Sequence, residues 1–234
     1  MIPNKYIFLF FTCLLATLSL QAQPGISYLK KDVFLERLNE LRTEFGQRKI
    51  IPPEIEIECL AALSFYPELK NVQIEFRFAS LSATMSSKPT LNSIFKKSRE
   101  RKYIITIQKP GHPKTNFEWR SLSFNSIVGW LGHELGHIVH YTHKTGGGIL
   151  FTGIKYFVPG YRRRMERFTD EVAIHHDLGF ALYEGSDYVI NHSSATGKYI
   201  RKLKKFYLSP GEIIERIHSQ QSWIAVYRKT KMNK

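Results

Sequence analysis

"GWLGHELGHIVHYTHKTGGG", Gly129 to Gly148, sets four histidines and one glutamate among the eleven residues from His133 to His143. Around them Ile127, Trp130, Leu131, Leu135, Ile138 and Val139 recur at helical intervals, which predicts an amphipathic helix from about Asn125 to His143. On such a helix His133 and His137 lie one turn apart on one face and can converge on a single ion. Glu134 is rotated from His133 by about 100°, so its carboxylate can reach a metal-bound water without being a ligand. Imidazole nitrogen suits zinc, and a catalytic zinc needs three protein ligands and an open position.

Two residues compete for the third place. His143 completes the spacing H-E-x-x-H-x-x-G-x-x-H of metzincin peptidases, with His140 where that pattern has a glycine. The glycine permits a sharp turn at positive φ. In an uninterrupted helix His143 lies about 15 Å along the axis from His133 and about 80° round it, out of reach of the same ion. The first clear break in the pattern is the later "TGGG", Thr145 to Gly148. The other candidate is Glu166 in "ERFTDEVA", with Asp170 one turn on, placed to accept the second ring N–H of a ligand histidine. Helix continuity and the Glu166/Asp170 pair favour Glu166.

H-E-x-x-H followed on a later helix by E-x-x-x-D resembles the gluzincin zinc metallopeptidases. "GWLGHELGHIVHY" with "ERFTDEVAIHHDLGFALYEGSDYV" also resembles a group of small secreted bacterial proteins with no assigned substrate. The resemblance covers roughly residues 60 to 190 and is specific at the two motifs. By position it implies zinc on His133, His137 and Glu166, Glu134 as catalytic base, and Asp170 behind a ligand histidine. His140 falls near the His133 face and can line the cleft, although a satisfied polar residue near the helix end explains it as well. His175 and His176 point away from Glu166 by helical counting and receive no ligand role.

Outward from this core, "SYLKKDVFLERLNELRTEFG" predicts a first helix ended by Gly46, and a second follows Pro52 and Pro53 to Tyr66. "VQIEFRFAS", Val72 to Ser80, alternates apolar and polar residues as a half-buried strand does, and the β-branched "KYIITIQK", Lys102 to Lys109, reads as a second strand closed by "PGHP". The polar "SATMSSKPTLNS" between them reads as a loop. Downstream, "PGYRRRMERFTDEVAIHHDLG", Pro159 to Gly179, starts after a proline and ends on a glycine as helices do. In "SPGEIIERIHSQ", Ser209 with Glu212 forms a capping-box pattern. The predicted fold is α+β and, on the resemblance, zincin-like: a small, mostly antiparallel sheet, then the active-site helix, then a helical C-terminal part. Strand Lys102 to Lys109 is expected at the sheet edge, where an extended peptide can add to it.

The first residues place one lysine before an apolar run from Ile7 to Leu20, the order of a secretory signal peptide; residues 1–22 are read as that signal and 23–234 as one domain. An uncleaved N-terminal anchor is the alternative. Cys13 falls in the run without a lipoprotein pattern. Cys59 is then the lone mature cysteine, inside an apolar helical pattern that suits a buried inert thiol. The 234 residues, 43% of them hydrophobic, suffice for a packed core, and the net charge is +14. The cations gather in "FKKSRERK", "YRRRMER" and "RKLKK" without any nucleic-acid motif, so a solvated cationic surface is expected and no nucleic-acid partner. Electrostatic association with an anionic envelope surface is a further expectation.

The expected function is therefore a secreted or periplasmic zinc metallopeptidase acting on a peptide or protein substrate. Zinc brings the pKa of bound water from 15.7 towards about 7 and Glu134 takes the proton as general base. Tyr156, Tyr161, Tyr183, Tyr188 and His192 are the candidate donors to the oxyanion. The alternatives are a non-catalytic zinc-binding protein with a peptidase fold and a zinc amidase acting on a cell-wall peptide. The retained Glu134 argues against the first, since a structural site has no use for that carboxylate.

Overall fold

The computed structural model describes residues 28–81, 83–109 and 118–220. Residues 1–22, read from the sequence as a signal, and the "PGHP" stretch, residues 110–113, lie outside the described residues. The first predicted helix is two: α1 (Lys31–Glu36) and α2 (Leu38–Phe45), broken at Arg37, where φ is −100° and ψ 12°. Leu41 and Phe45 anchor the pair in the core, whereas Val33 and Leu35 stay exposed. A two-residue strand β1 (Lys49–Ile50) leads through α3 (Glu56–Ser64) to β2 (Gln73–Ala79), then β3 (Met85–Pro89) and β4 (Lys102–Gln108). Helix α3 is buried almost throughout, Cys59 included.

The sheet order is β1-β2-β4-β3. It is mixed, not mostly antiparallel as the sequence suggests: β1 with β2 and β2 with β4 are parallel, and β3 with β4 is antiparallel. The α3 crossover makes the first pair parallel. The second arises because the chain runs out along β3, at the far edge, and returns along β4 between β3 and β2. Strand β4 is consequently interior, not the expected edge. Its near-continuous run Tyr103, Ile104, Ile105, Thr106, Ile107 is buried on both faces, as a central strand's residues are. The edges are β1 and β3, and the polar residues and terminal proline of β3, "MSSKP", suit an exposed margin and give its sequence the look of a loop.

Across this sheet lies α4 (Phe124–Thr142), whose start is fixed by Ser123 Oγ accepting from the Ser126 amide at 3.0 Å. Two of its glycines set the distance to its neighbours. A Cβ on Gly129 would fall 2.3 Å from the backbone carbon of Ala181 in α7 (Gly179–Asp187), and one on Gly136 would fall 3.0 Å from the Thr169 methyl in α6 (Pro159–Ala173). Between α4 and α6 runs α5 (Gly146–Lys155), capped by Thr145. The helix predicted for residues 159–179 stops earlier than Gly179: regular α6 ends at Ala173, and a wide turn through 174–178 follows, with Asp177 at φ 60°. Gly179 begins the next helix, where its missing Cβ gives room to Ile217. The described chain closes with α8 (Gly197–Phe206) and α9 (210–220). The predicted capping box heads α9, with Ser209 N donating to Glu212 Oε2 at 2.8 Å and Glu212 N to Ser209 Oγ at 3.3 Å.

Candidate metal centre

Helices α4 and α6 pack through Gly136, and that contact turns His133, His137 and Glu166 into one buried group, one ligand atom from each lying within 4.8 Å of the others. Glu166 Oε2 is 3.4 Å from His133 Nε2 and 3.2 Å from His137 Nε2. Behind the rings, each Nδ1 has its own partner. His133 Nδ1 is 2.8 Å from Asp170 Oδ1, which as a carboxylate accepts, so the proton sits on Nδ1. Thr169 Oγ1 donates to the Met165 carbonyl at 2.8 Å and therefore accepts from His137 Nδ1 at 3.2 Å. Both rings are thus held with the Nε2 lone pair facing Glu166, and three electron-rich atoms face one point. Only a proton or a cation satisfies such a set.

The titration of the two partners reflects this. Burial opposes charge on His133, but the bonds to Asp170 and Glu166 outweigh it and hold the imidazole well above its ordinary pKa. Burial would raise Glu166, and the bonds from His133 and His137 overcome it, leaving the carboxyl well below the usual carboxylate range. Asp170 is itself fixed, since its Oδ2 accepts from the Leu208 amide at 2.8 Å, which ties the centre to the α8–α9 connection.

Glu134 is 7% exposed, and its Oε2 has no hydrogen-bond partner among the described residues. An unpaired buried carboxylate oxygen is costly, and it borders a cavity with His133, Asp170, Trp130 and the start of the edge strand at Thr84 and Met85. Helix α4 continues through Thr142 and leaves His143 exposed at its C-cap, away from the group. His140 Nε2 is buried without a partner among the described residues, and the ring lies 5.7 Å from Phe168; burial pushes its pKa down to about 4. His175 bonds the Glu171 carbonyl, and His176 bonds the Val172 carbonyl and Glu68.

Of the candidate oxyanion donors, Tyr156 has its ring 6.4 Å from that of His137, and Tyr161 lies behind it at 6.3 Å. Tyr183 packs against the cluster around Leu182 and Ile213, Tyr188 against the main core, and exposed His192 is 3.4 Å from Asp187. Sequence reasoning missed Tyr207, whose ring is 5.4 Å from His133 and lines the cavity. Burial drives the phenol pKa values of Tyr156 and Tyr207 upward, so both keep their protons and can donate. No motif marks Tyr207; the one available signal is its place just before the Ser209 cap, in a segment that must return to α6.

The chain matches no protein-family model, no curated protein and no solved structure.

Proposed function

We propose that the protein is a zinc-dependent metallopeptidase working outside the cytoplasm, with His133, His137 and Glu166 as the metal ligands. The observation that carries this reading is the convergence of two tautomer-fixed imidazoles and one carboxylate beside the unpaired oxygen of Glu134. Two imidazoles and a carboxylate fit zinc with a position left open, and a purely structural site would not need a further, unpaired carboxylate at its border. When bound, zinc acidifies water and polarises a carbonyl. Glu134 Oε2, unsatisfied by protein, takes the proton from the attacking water and returns it to the leaving nitrogen. Asp170 keeps His133 in its ligating tautomer, and Thr169 does so for His137. The protonated phenols of Tyr207 and Tyr156 are the donors placed to meet negative charge developing on the carbonyl oxygen. An extended substrate adds to β3, the edge strand that leads into the cavity, instead of to β4.

Metal content and hydrolysis of a random peptide library test this in wild type and Glu134→Gln. The proposal expects zinc in both proteins and cleavage in the wild type alone. Equal cleavage by the two would remove Glu134 from the chemistry, and cleavage by neither would leave a zinc-binding protein without peptidase activity.

A further inference from the structure

Helix α5 is built inside out. It buries Ile149 and Thr152, while Leu150, Phe151 and Ile154 face solvent together with Phe157 and Val158 just beyond its end. Phe157 is 90% exposed. Positions 150, 151 and 154 share one helix face, and Phe157 and Val158 add two exposed apolar side chains in the turn that follows, so the segment 150–158 presents an apolar stripe on the outside. Isolated exposed apolar residues need no explanation, but a contiguous stripe with two phenylalanines marks an interaction surface.

Charge says what that surface meets. At the start of α5, Gly146 lies against Ile94 and Phe95, so the exposed Phe95, Lys96 and Lys97 border the stripe there. At its other end, Lys155 Nζ is 4.2 Å from the centre of the Phe151 ring and 5.5 Å from that of Tyr161, and the Arg164 guanidinium is 5.9 Å from Tyr161. Arg163 and Arg164 are exposed there. A short apolar face with phenylalanines, rimmed at both ends by cations, is complementary to a bilayer that offers hydrocarbon beneath anionic headgroups. Among the described residues no helix is long and apolar enough to cross a membrane, so the fit is to a helix lying in the interface.

We infer that the α5 stripe, residues 150–158, docks this protein onto the surface of an anionic lipid bilayer. The inference goes beyond the peptidase reading and stands or falls without it. The two share one segment: Tyr156, whose ring neighbours His137, is followed directly by Phe157. Docking therefore sets the candidate centre beside the lipid.

The test is hydrogen exchange by mass spectrometry on the full chain, alone and with vesicles of phosphatidylglycerol or phosphatidylcholine. Segment-resolved protection separates the stripe from the apolar run at Ile7 to Leu20, which can itself enter lipid. The expected result is protection of residues 147–160 with phosphatidylglycerol that falls away at high salt and is weak with phosphatidylcholine. Phe157→Ser is expected to weaken this partitioning about tenfold, and Arg163→Glu with Arg164→Glu to weaken it on anionic vesicles alone. Three results would overturn the inference: protection confined to the N-terminal run, no protection, or protection of 147–160 that grows with protein concentration without vesicles. The last would assign the stripe to a second copy of the chain. Zinc content does not enter any of these readouts, so loss of the metal reading leaves this test intact.

Discussion

The α4–α6 contact and the α5 segment that joins those helices depart from the ordinary distribution of side chains in opposite senses. The first buries two histidines, two glutamates and an aspartate; the second exposes phenylalanine, leucine and isoleucine along one face. A buried polar group is costly unless each member finds a partner, and here nearly every atom has one, down to the Nδ1 of each histidine. Within that group the exception is Glu134 Oε2, which sits where a reacting group would be useful; His140 Nε2, against Phe168, is unpartnered too among the described residues. An exposed apolar stripe costs folding little, because nothing in the core depends on it. The contrast teaches that both departures point to function, and that they differ in how tightly the fold is bound to them.

The largest expected effect bears on the exception. Glu134→Gln keeps the shape of the side chain and removes its basicity, so metal content should persist while peptide hydrolysis falls roughly a hundred- to ten-thousandfold. Retained hydrolysis would make the unpaired oxygen an accident of packing. Next is Asp170→Asn, which turns an acceptor for His133 Nδ1–H into a weaker, neutral one. Metal affinity, read by competition with a chromogenic chelator, should drop about ten- to a hundredfold. An unchanged affinity would mean that His133 does not need Asp170 to hold its tautomer.

A smaller effect concerns how α6 is held. Arg167 pairs with Glu212, which also caps α9, and this pairing, led by the Arg167 bond, lowers the Glu212 pKa to about 2 from its ordinary 4.5. A depressed carboxylate contributes stability that is present above 4.5 and is lost as pH falls towards 2. The side chain is 37% exposed, so solvent screening leaves less than about 1 kcal/mol. Denaturant melts of wild type and Glu212→Gln should therefore differ at pH 6 and converge near pH 2; a constant gap would assign the effect to packing. Smallest of all, Phe151→Ser and Phe157→Ser should each change folding stability by no more than about 0.5 kcal/mol in the same melts. A larger loss would show that the stripe is part of the core after all and erase the contrast.

The two regions were also unequally legible. Helix α4 could be read because its apolar period and its H-E-x-x-H spacing agree, and Glu166 with Asp170 because i,i+4 spacing keeps them on one face. The sheet's directions could not, since parallel or antiparallel pairing depends on which strand the chain returns to, and "MSSKP" has too little apolar content to announce a strand. Strand β4 carried a readable sign of its central place, the unbroken run of β-branched residues, that was outweighed by its expected role as an edge. Tyr207 has no motif at all and reaches His133 through the fold alone. Helix α5 was hidden for a simpler reason: the triple glycine Gly146 to Gly148 reads as a break in the chain and not as the start of a helix.

The central claim is that Glu166, not His143, completes the centre begun by His133 and His137. Zinc per chain, measured after dialysis for wild type, Glu166→Ala and His143→Ala, tests it directly. The predicted result is one zinc in wild type and His143→Ala and none in Glu166→Ala. Retention of zinc by Glu166→Ala with its loss from His143→Ala would contradict the account.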